Sequence, residues 1–152
     1  MPGYGIMPAG DSEGVLPWSW AKERLTKAHN YWVATTNSDA SPQLTAVWGV
    51  WQDDAFYFSC AGTSRKALNL AENPKCAIST ERADEAVIVE GIAELVTEQT
   101  LLEQFKAAYD PKYNWEIEIN KGGIFRVIPR VAFAFIEHSD KFQSTATRWQ
   151  FA

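Results

Sequence analysis

Ser64-Arg65-Lys66 follows a strand-like run, Ala55 to Cys60, and a turn, Ala61-Gly62-Thr63. A helix beginning here carries partial positive charge and unpaired N–H groups at its start. Two cations in its first turn oppose that dipole, and a local rule broken in this way is a cue to function. An anion removes the conflict. Backbone N–H groups, the hydroxyls of Thr63 and Ser64, and the charges of Arg65 and Lys66 would then form a phosphate cradle, with Gly62 allowing the tight turn. An ordinary surface helix with solvated charges explains the same residues, and the segment alone weighs evenly between the two. Cys60 beside this turn is either a thiol of lowered pKa or, the commoner case, a half-buried structural cysteine.

A second segment is Ala46-Val47-Trp48-Gly49-Val50-Trp51. Glycine in mid-strand marks close approach of another backbone or a ligand. A flat heterocycle lying on this strand would meet bulky side chains and a backbone able to read its polar edge. By pattern alone an aromatic barrel core with a bend at Gly49 is favoured. Glu90-Gly91 reads as a bulge or the approach of a partner. The ending Thr147-Arg148-Trp149-Gln150-Phe151 closes its own barrel or covers a ligand or partner subunit. His29 and His138 have no neighbours at metal-ligand spacing, so no metal is expected. No Ser sits in a G-x-S-x-G setting, and no side-chain nucleophile or other catalytic side chain is expected.

The elements that must position these residues read mostly as strands. Residues 1–16, with Gly3, Gly5, Gly10, Gly14, Pro2 and Pro8, read as a flexible tail, and 17–152 as one domain. Ser19 is a plausible N-cap of a short helix ending near Asn30. Tyr31 to Thr36, Gln43 to Trp51 and Ala55 to Cys60 form a meander joined by turn-rich loops. Thr63 to Glu72 is a helix. Lys75 to Thr80 and Ala86 to Val96 are strands, the latter apolar on both faces, as a barrel strand would be. Thr97 and Glu98 open a helix with Leu101, Leu102, Phe105 and Tyr109 on one face, and Asp110-Pro111 ends it. Lys112 to Gly123 is a loop. Ile124 to Glu137 is a strand with Pro129 at an edge or bulge, and Thr147 to Phe151 is a last short strand. The result is mainly β with peripheral helices: an antiparallel barrel of about six or seven strands.

Composition narrows the function. The net charge of -5 leaves no general field for nucleic acid. The longest apolar run is far short of a membrane span. Two cysteines make no disulfide framework. No basic segment followed by an apolar core opens the chain, so a cytoplasmic location is expected. An aromatic content of 13% suits a core, a dimer interface or a pocket for a flat ligand.

Together these segments resemble the pyridoxamine 5′-phosphate oxidase-like flavin-binding split β-barrels, which include flavin- and deazaflavin-dependent oxidoreductases. The resemblance runs from about Trp20 to Phe151. It rests on Tyr31 to Thr36, Asp39 to Pro42, Val47 to Trp51, Phe56 to Ser59, Ser64-Arg65-Lys66-Ala67, Asn69-Leu70, Asn73-Pro74 and Val89-Glu90-Gly91. It implies a split barrel with a cofactor, flavin mononucleotide (FMN) or the deazaflavin coenzyme F-420, at a homodimer interface. Val47, Trp48 and Gly49 would place the ring. Phe58, Ser59, Cys60, Thr63, Ser64, Arg65 and Lys66 would hold the ribityl chain and phosphate, and Arg148 and Trp149 would reach the partner's site. Ala40 and Cys60 depart from the glycine and hydroxyl residues of many relatives. The basic and histidine substrate residues of a true pyridoxamine phosphate oxidase are lacking near the C-terminus, which argues against that activity.

The resulting expectation is an oxidoreductase that passes a hydride or electrons to or from a small organic substrate, with a nicotinamide as one candidate donor. The competing expectation is a protein that sequesters a flavin, a haem-like ring or another flat anion without turnover. A weaker third is an interaction module whose aromatics are only core and interface. A deazaflavin tail would need further cations, for which Lys22, Arg24, Lys27, Lys75 and Lys112 are available.

Overall fold

The computed structural model describes residues 7–8, 15–138, 140 and 145–152. In chain order the elements are β1 (Met7–Pro8), α1 (Trp18–Lys27), β2 (Tyr31–Thr36), β3 (Pro42–Val47), β4 (Gly49–Gln52), β5 (Ala55–Ser59) and α2 (Arg65–Glu72). They continue with β6 (Lys75–Thr80), β7 (Glu85–Leu95), α3 (Gln99–Tyr113), β8 (Ile124–Ile136) and β9 (Thr147–Gln150).

β3 and β4 read as one strand, yet the chain breaks at Trp48. Before the break it pairs with β2, and after it with β5. β5 in turn pairs with the start of β8, while β8, β7, β6 and β2 follow one another as antiparallel neighbours. These pairings close a ring through the broken strand, which is the split barrel. Arg130 is the extra residue of a bulge opposite Glu90 and Gly91, where the register passes from Val131 to Pro129. A Cβ on Gly91 would lie 2.3 Å from the carbonyl oxygen of Ile128, so the glycine answers to packing within the sheet.

The barrel interior holds Tyr31, Val33, Phe56, Phe58, Val87, Val89 and Val127, all fully buried. α1 packs Trp18 edge-on against Trp51 and Trp149 at one end. A second apolar cluster lies under α3, where Leu102, Phe105, Tyr109 and Tyr113 meet Val50 and Tyr57.

Several helix boundaries differ from the sequence expectation, and α1 ends at Lys27 rather than near Asn30. Pro17, not Ser19, is the N-cap of α1. α2 begins at Arg65, and Ser64 is its cap, its Oγ accepting from the Ala67 N–H at 3.3 Å. α3 runs past Asp110-Pro111 to Tyr113. Proline costs a helix one hydrogen bond, but Tyr109 and Tyr113 continue the buried face, and that burial outweighs it. Of residues 1–16, Met7–Pro8 pairs in parallel with Thr147 and Arg148, and the Leu16 N–H donates to Thr147 Oγ1 at 3.0 Å. Residues 1–6 and 9–14 lie outside the described residues.

Candidate functional site

Among the described residues β3 has β2 as its only strand partner, so half of its backbone groups face away from any strand. Opposite this edge the chain leaves β5 and turns into α2. The opening is a groove of about 500 Å³. Ala46, Val47 and Trp48 line it from the strand, and Ser59, Cys60 and Ala61 from the turn. Ser64 and Lys66 enter from α2, and Asn30 and Tyr109 complete it.

The turn is shaped from behind. The Cys60 N–H donates to the Gly123 carbonyl at 2.9 Å, and the Ser64 N–H to the Ala61 carbonyl at 2.9 Å. Gly123 has φ +79°, and a Cβ there would sit 1.9 Å from the Cys60 carbonyl oxygen. Gly62 meets nothing within 4 Å and is not in the left-handed region. The glycine that the turn requires is therefore Gly123, from the loop that leads into β8, not Gly62.

The helix supplies no acceptor for the N–H groups of Arg65 and Lys66, and the Ala67 N–H is taken by Ser64. Lys66 thus brings its cation and its amide to the groove, and the Arg65 amide opens the same helical turn, a donor set that fits one phosphate. Arg65 diverges from Lys66 and borders another hollow, beside Asn37, Asp39 and Gln43 of the β2–β3 hairpin. Asn69, 3% exposed, fixes α2 to that hairpin by donating to Thr35 Oγ1 at 3.0 Å and Asn37 Oδ1 at 2.9 Å. Burial raises the Cys60 thiol pKa despite the opposing pull of Ser64 and Lys66. Of the two sequence readings of Cys60, this agrees with the half-buried structural cysteine and not with the thiol of lowered pKa.

Trp48 is 37% exposed. One face of its ring stacks on Tyr113, centroids 4.6 Å apart and planes 8° from parallel. Trp115 and His29 approach it at 6.2 Å.

The structure thus gathers Val47, Trp48, Ser59, Cys60, Ser64 and Lys66 around one groove. It does not bring the others to the lining. Gly49 faces the barrel, where a Cβ would be 2.3 Å from the Phe56 ring, so its lack of a side chain serves the core. Phe58 is fully buried and stacks on Phe56 and Phe125. Thr63 is exposed outside the groove. Trp149 packs on Trp18 within its own chain, and Arg148 bonds Gln150. Lys22, Arg24 and Lys27 pair with Asp54, Glu85 and Glu23, and Lys75 borders a hollow on the sheet face. Lys112 is drawn beneath the strand. None of these five cations lines the groove. Sequence reasoning missed Asn30, Ala61 and Tyr109; Tyr109 appeared only as a core residue of α3.

No helix among the described residues is long and apolar enough to cross a membrane. No curated protein matches the chain in sequence. Solved structures do match in fold. A conserved hypothetical protein from Mycobacterium tuberculosis is 22% identical with a TM-score of 0.74, the match covering 88% of this chain and 91% of that one. A protein titled F420 reductase is 22% identical with a TM-score of 0.61, covering 73% and 94%. A haem-binding protein from Mycobacterium smegmatis is 14% identical with a TM-score of 0.67, covering 83% and 57%. The pyridoxamine 5′-phosphate oxidase family model matches residues 20–145. With that match over most of its length, the chain belongs to the pyridoxamine 5′-phosphate oxidase family.

Proposed function

We propose that the protein is an oxidoreductase that binds a phosphorylated flavin or deazaflavin in the groove of the split barrel. The observation that carries this is the pairing of two features across one opening. A strand edge without a strand partner among the described residues lies on one side, and a helix start bearing Lys66 on the other. The edge of β3 offers N–H and C=O groups to the polar rim of a flat ring, and Trp48 offers an aromatic face. Lys66, Ser64 and the first amides of α2 hold the phosphate. A single lining cation matches the single phosphate of FMN; the acidic tail of a deazaflavin would extend beyond the groove. When bound, the cofactor supplies the hydride or electron chemistry. The chain contributes position, a shielded wall and positive charge at the phosphate.

A homodimer is part of this proposal. Trp32 and Leu44 are 44% and 62% exposed on neighbouring strands. Register places Trp32 opposite Ala46 and Ala34 opposite Leu44, so this apolar face runs into the groove wall. Contiguous exposed apolar surface of this kind marks an interaction site. A second copy seated there would border the cofactor. A cytoplasmic location fits this use.

The experiment is a titration of the purified protein with FMN and with the deazaflavin, repeated in Lys66→Ala. Saturable binding that weakens about tenfold or more without Lys66 supports the cradle. Binding of neither refutes the proposal. Reoxidation of the reduced, bound cofactor by an added substrate separates an enzyme from a sequestering protein.

A further inference from the structure

Lys112 is the half-buried cation that the phosphate cradle does not use. Its Nζ donates to the Gly49 carbonyl at 2.9 Å and to the Tyr31 hydroxyl at 2.8 Å. It also lies 4.8 Å and 5.3 Å from the ring centroids of Tyr31 and Tyr113. Among the described residues it forms no ion pair, and the Glu81 carboxylate acts on it only from farther away. Drawing a charge from water without a paired counter-charge is costly, and Glu81 offsets only part of it; a hydrophobic residue would suit mere packing between α3 and the barrel better.

The hydrogen bonds show what this charge secures. The Tyr113 hydroxyl accepts from the Gly49 N–H at 2.9 Å. It is 2.7 Å from both the His29 and the Gly49 carbonyl oxygens. A phenol has one proton. With the Gly49 carbonyl served by Lys112, that proton goes to His29. The Tyr31 hydroxyl, accepting from Lys112, passes its own proton to the Leu25 carbonyl at 2.6 Å. Both backbone groups of Gly49 are therefore held by side chains of α3. Gly49 is the first residue after the break, where the strand has left β2 and joined β5. Trp48 is the break itself, and its ring lies flat on Tyr113.

We propose that Lys112 is a positioning residue of the groove: by holding the Gly49 carbonyl it fixes the strand crossover and sets Trp48 against the bound ring. This rests on the groove being a flavin-type site. Lys112 acts on the ring end, and Lys66 on the phosphate end. The two are separable with a ligand that has the ring and lacks the phosphate.

The test titrates wild type, Lys112→Met, Lys112→Arg and Lys66→Ala with riboflavin and FMN, adding the deazaflavin and its phosphate-free chromophore. Hydrogen exchange of the ligand-free proteins is followed over residues 47–52 and over β7–β8. Lys112→Met is expected to weaken riboflavin and FMN by the same factor, about tenfold, and to speed exchange over 47–52 alone. Lys112→Arg, which keeps a cationic donor, recovers part of both. Lys66→Ala weakens FMN and spares riboflavin. If Lys112→Met binds riboflavin like wild type, or loses protection over β7–β8 as much as over 47–52, the positioning role is overturned. Failure of wild type to bind any of the four ligands instead refutes the flavin site, and the exchange over 47–52 still judges the hold on Gly49.

Discussion

Trp48 and Tyr113 lie face to face, 4.6 Å between centroids and 8° from parallel. One residue interrupts the barrel strand and the other ends α3. The stack uses one face of the indole and leaves the residue 37% exposed beside the groove. In the proposed site the tryptophan would meet the ring already immobilised, so little rotamer freedom would be lost on binding.

Trp48→Leu is therefore expected to cost binding more than folding. Loss of an aromatic stack is worth roughly 0.5–1.5 kcal/mol, about a two- to twelvefold fall in affinity for FMN and riboflavin alike. The melting temperature should move by only a few degrees. Fluorescence titration and thermal melts of the variant check both. A collapse in stability with unchanged affinity would return Trp48 to a core role.

Much of the barrel is legible in the sequence. β-branched and aromatic runs bounded by turn residues mark β2 and β6 with the same ends as in the structure. The break at Trp48 is not legible, because the alternation of Val47, Gly49 and Trp51 continues through it. What breaks the strand is a change of partner, which is long-range. Pro111 hides Lys112 and Tyr113 in the same way. Local chemistry ends the helix there, while the contacts that carry it on are with Gly49, Tyr31 and His29. Lys66 was legible because its charge conflicts with its own helix. Arg65 shows the same conflict, yet its side chain leaves on the other side of α2.

Gly62 within the turn and Gly123 behind it should respond differently to alanine. In Gly123→Ala the new Cβ meets the Cys60 carbonyl at 1.9 Å in a backbone with φ +79°. Such strain costs about 1–3 kcal/mol or more and should also displace Cys60 and weaken FMN. Gly62→Ala meets open space and should leave both melting temperature and affinity near wild type. Denaturant titration of the pair measures the difference.

Lys112 makes stability depend on pH in a defined direction. Burial lowers its pKa from 10.5 to about 8, partly offset by Glu81, which favours the charged form. Below pH 8 both folded and unfolded chains carry the charge, and the cost of burying it is fully present. Between about 8 and 10 the unfolded chain holds the proton that the folded one has released, so stability rises with pH. Above 10 the buried tyrosines reverse the trend. Burial raises Tyr113 to about 12 and Tyr31 further, so the folded state then binds more protons than the unfolded one. Urea unfolding of wild type minus Lys112→Met should climb from pH 8 to 10; a flat difference contradicts the linkage.

The proposed dimer face links assembly to cofactor binding, because Ala46 belongs both to the groove and to the strand carrying Leu44. Leu44→Lys places a charge at a residue 62% exposed in the single chain, where folding loses almost nothing. In a dimer the same lysine would be buried against apolar surface, at a cost of several kcal/mol. Sedimentation should find wild type at twice the mass of the chain and the variant at once. FMN affinity should fall along with the loss of the partner wall, while thermal unfolding of the variant stays cooperative. If wild type already sediments as a monomer and binds FMN tightly, the groove is complete in one chain and the exposed Trp32–Leu44 face has another use.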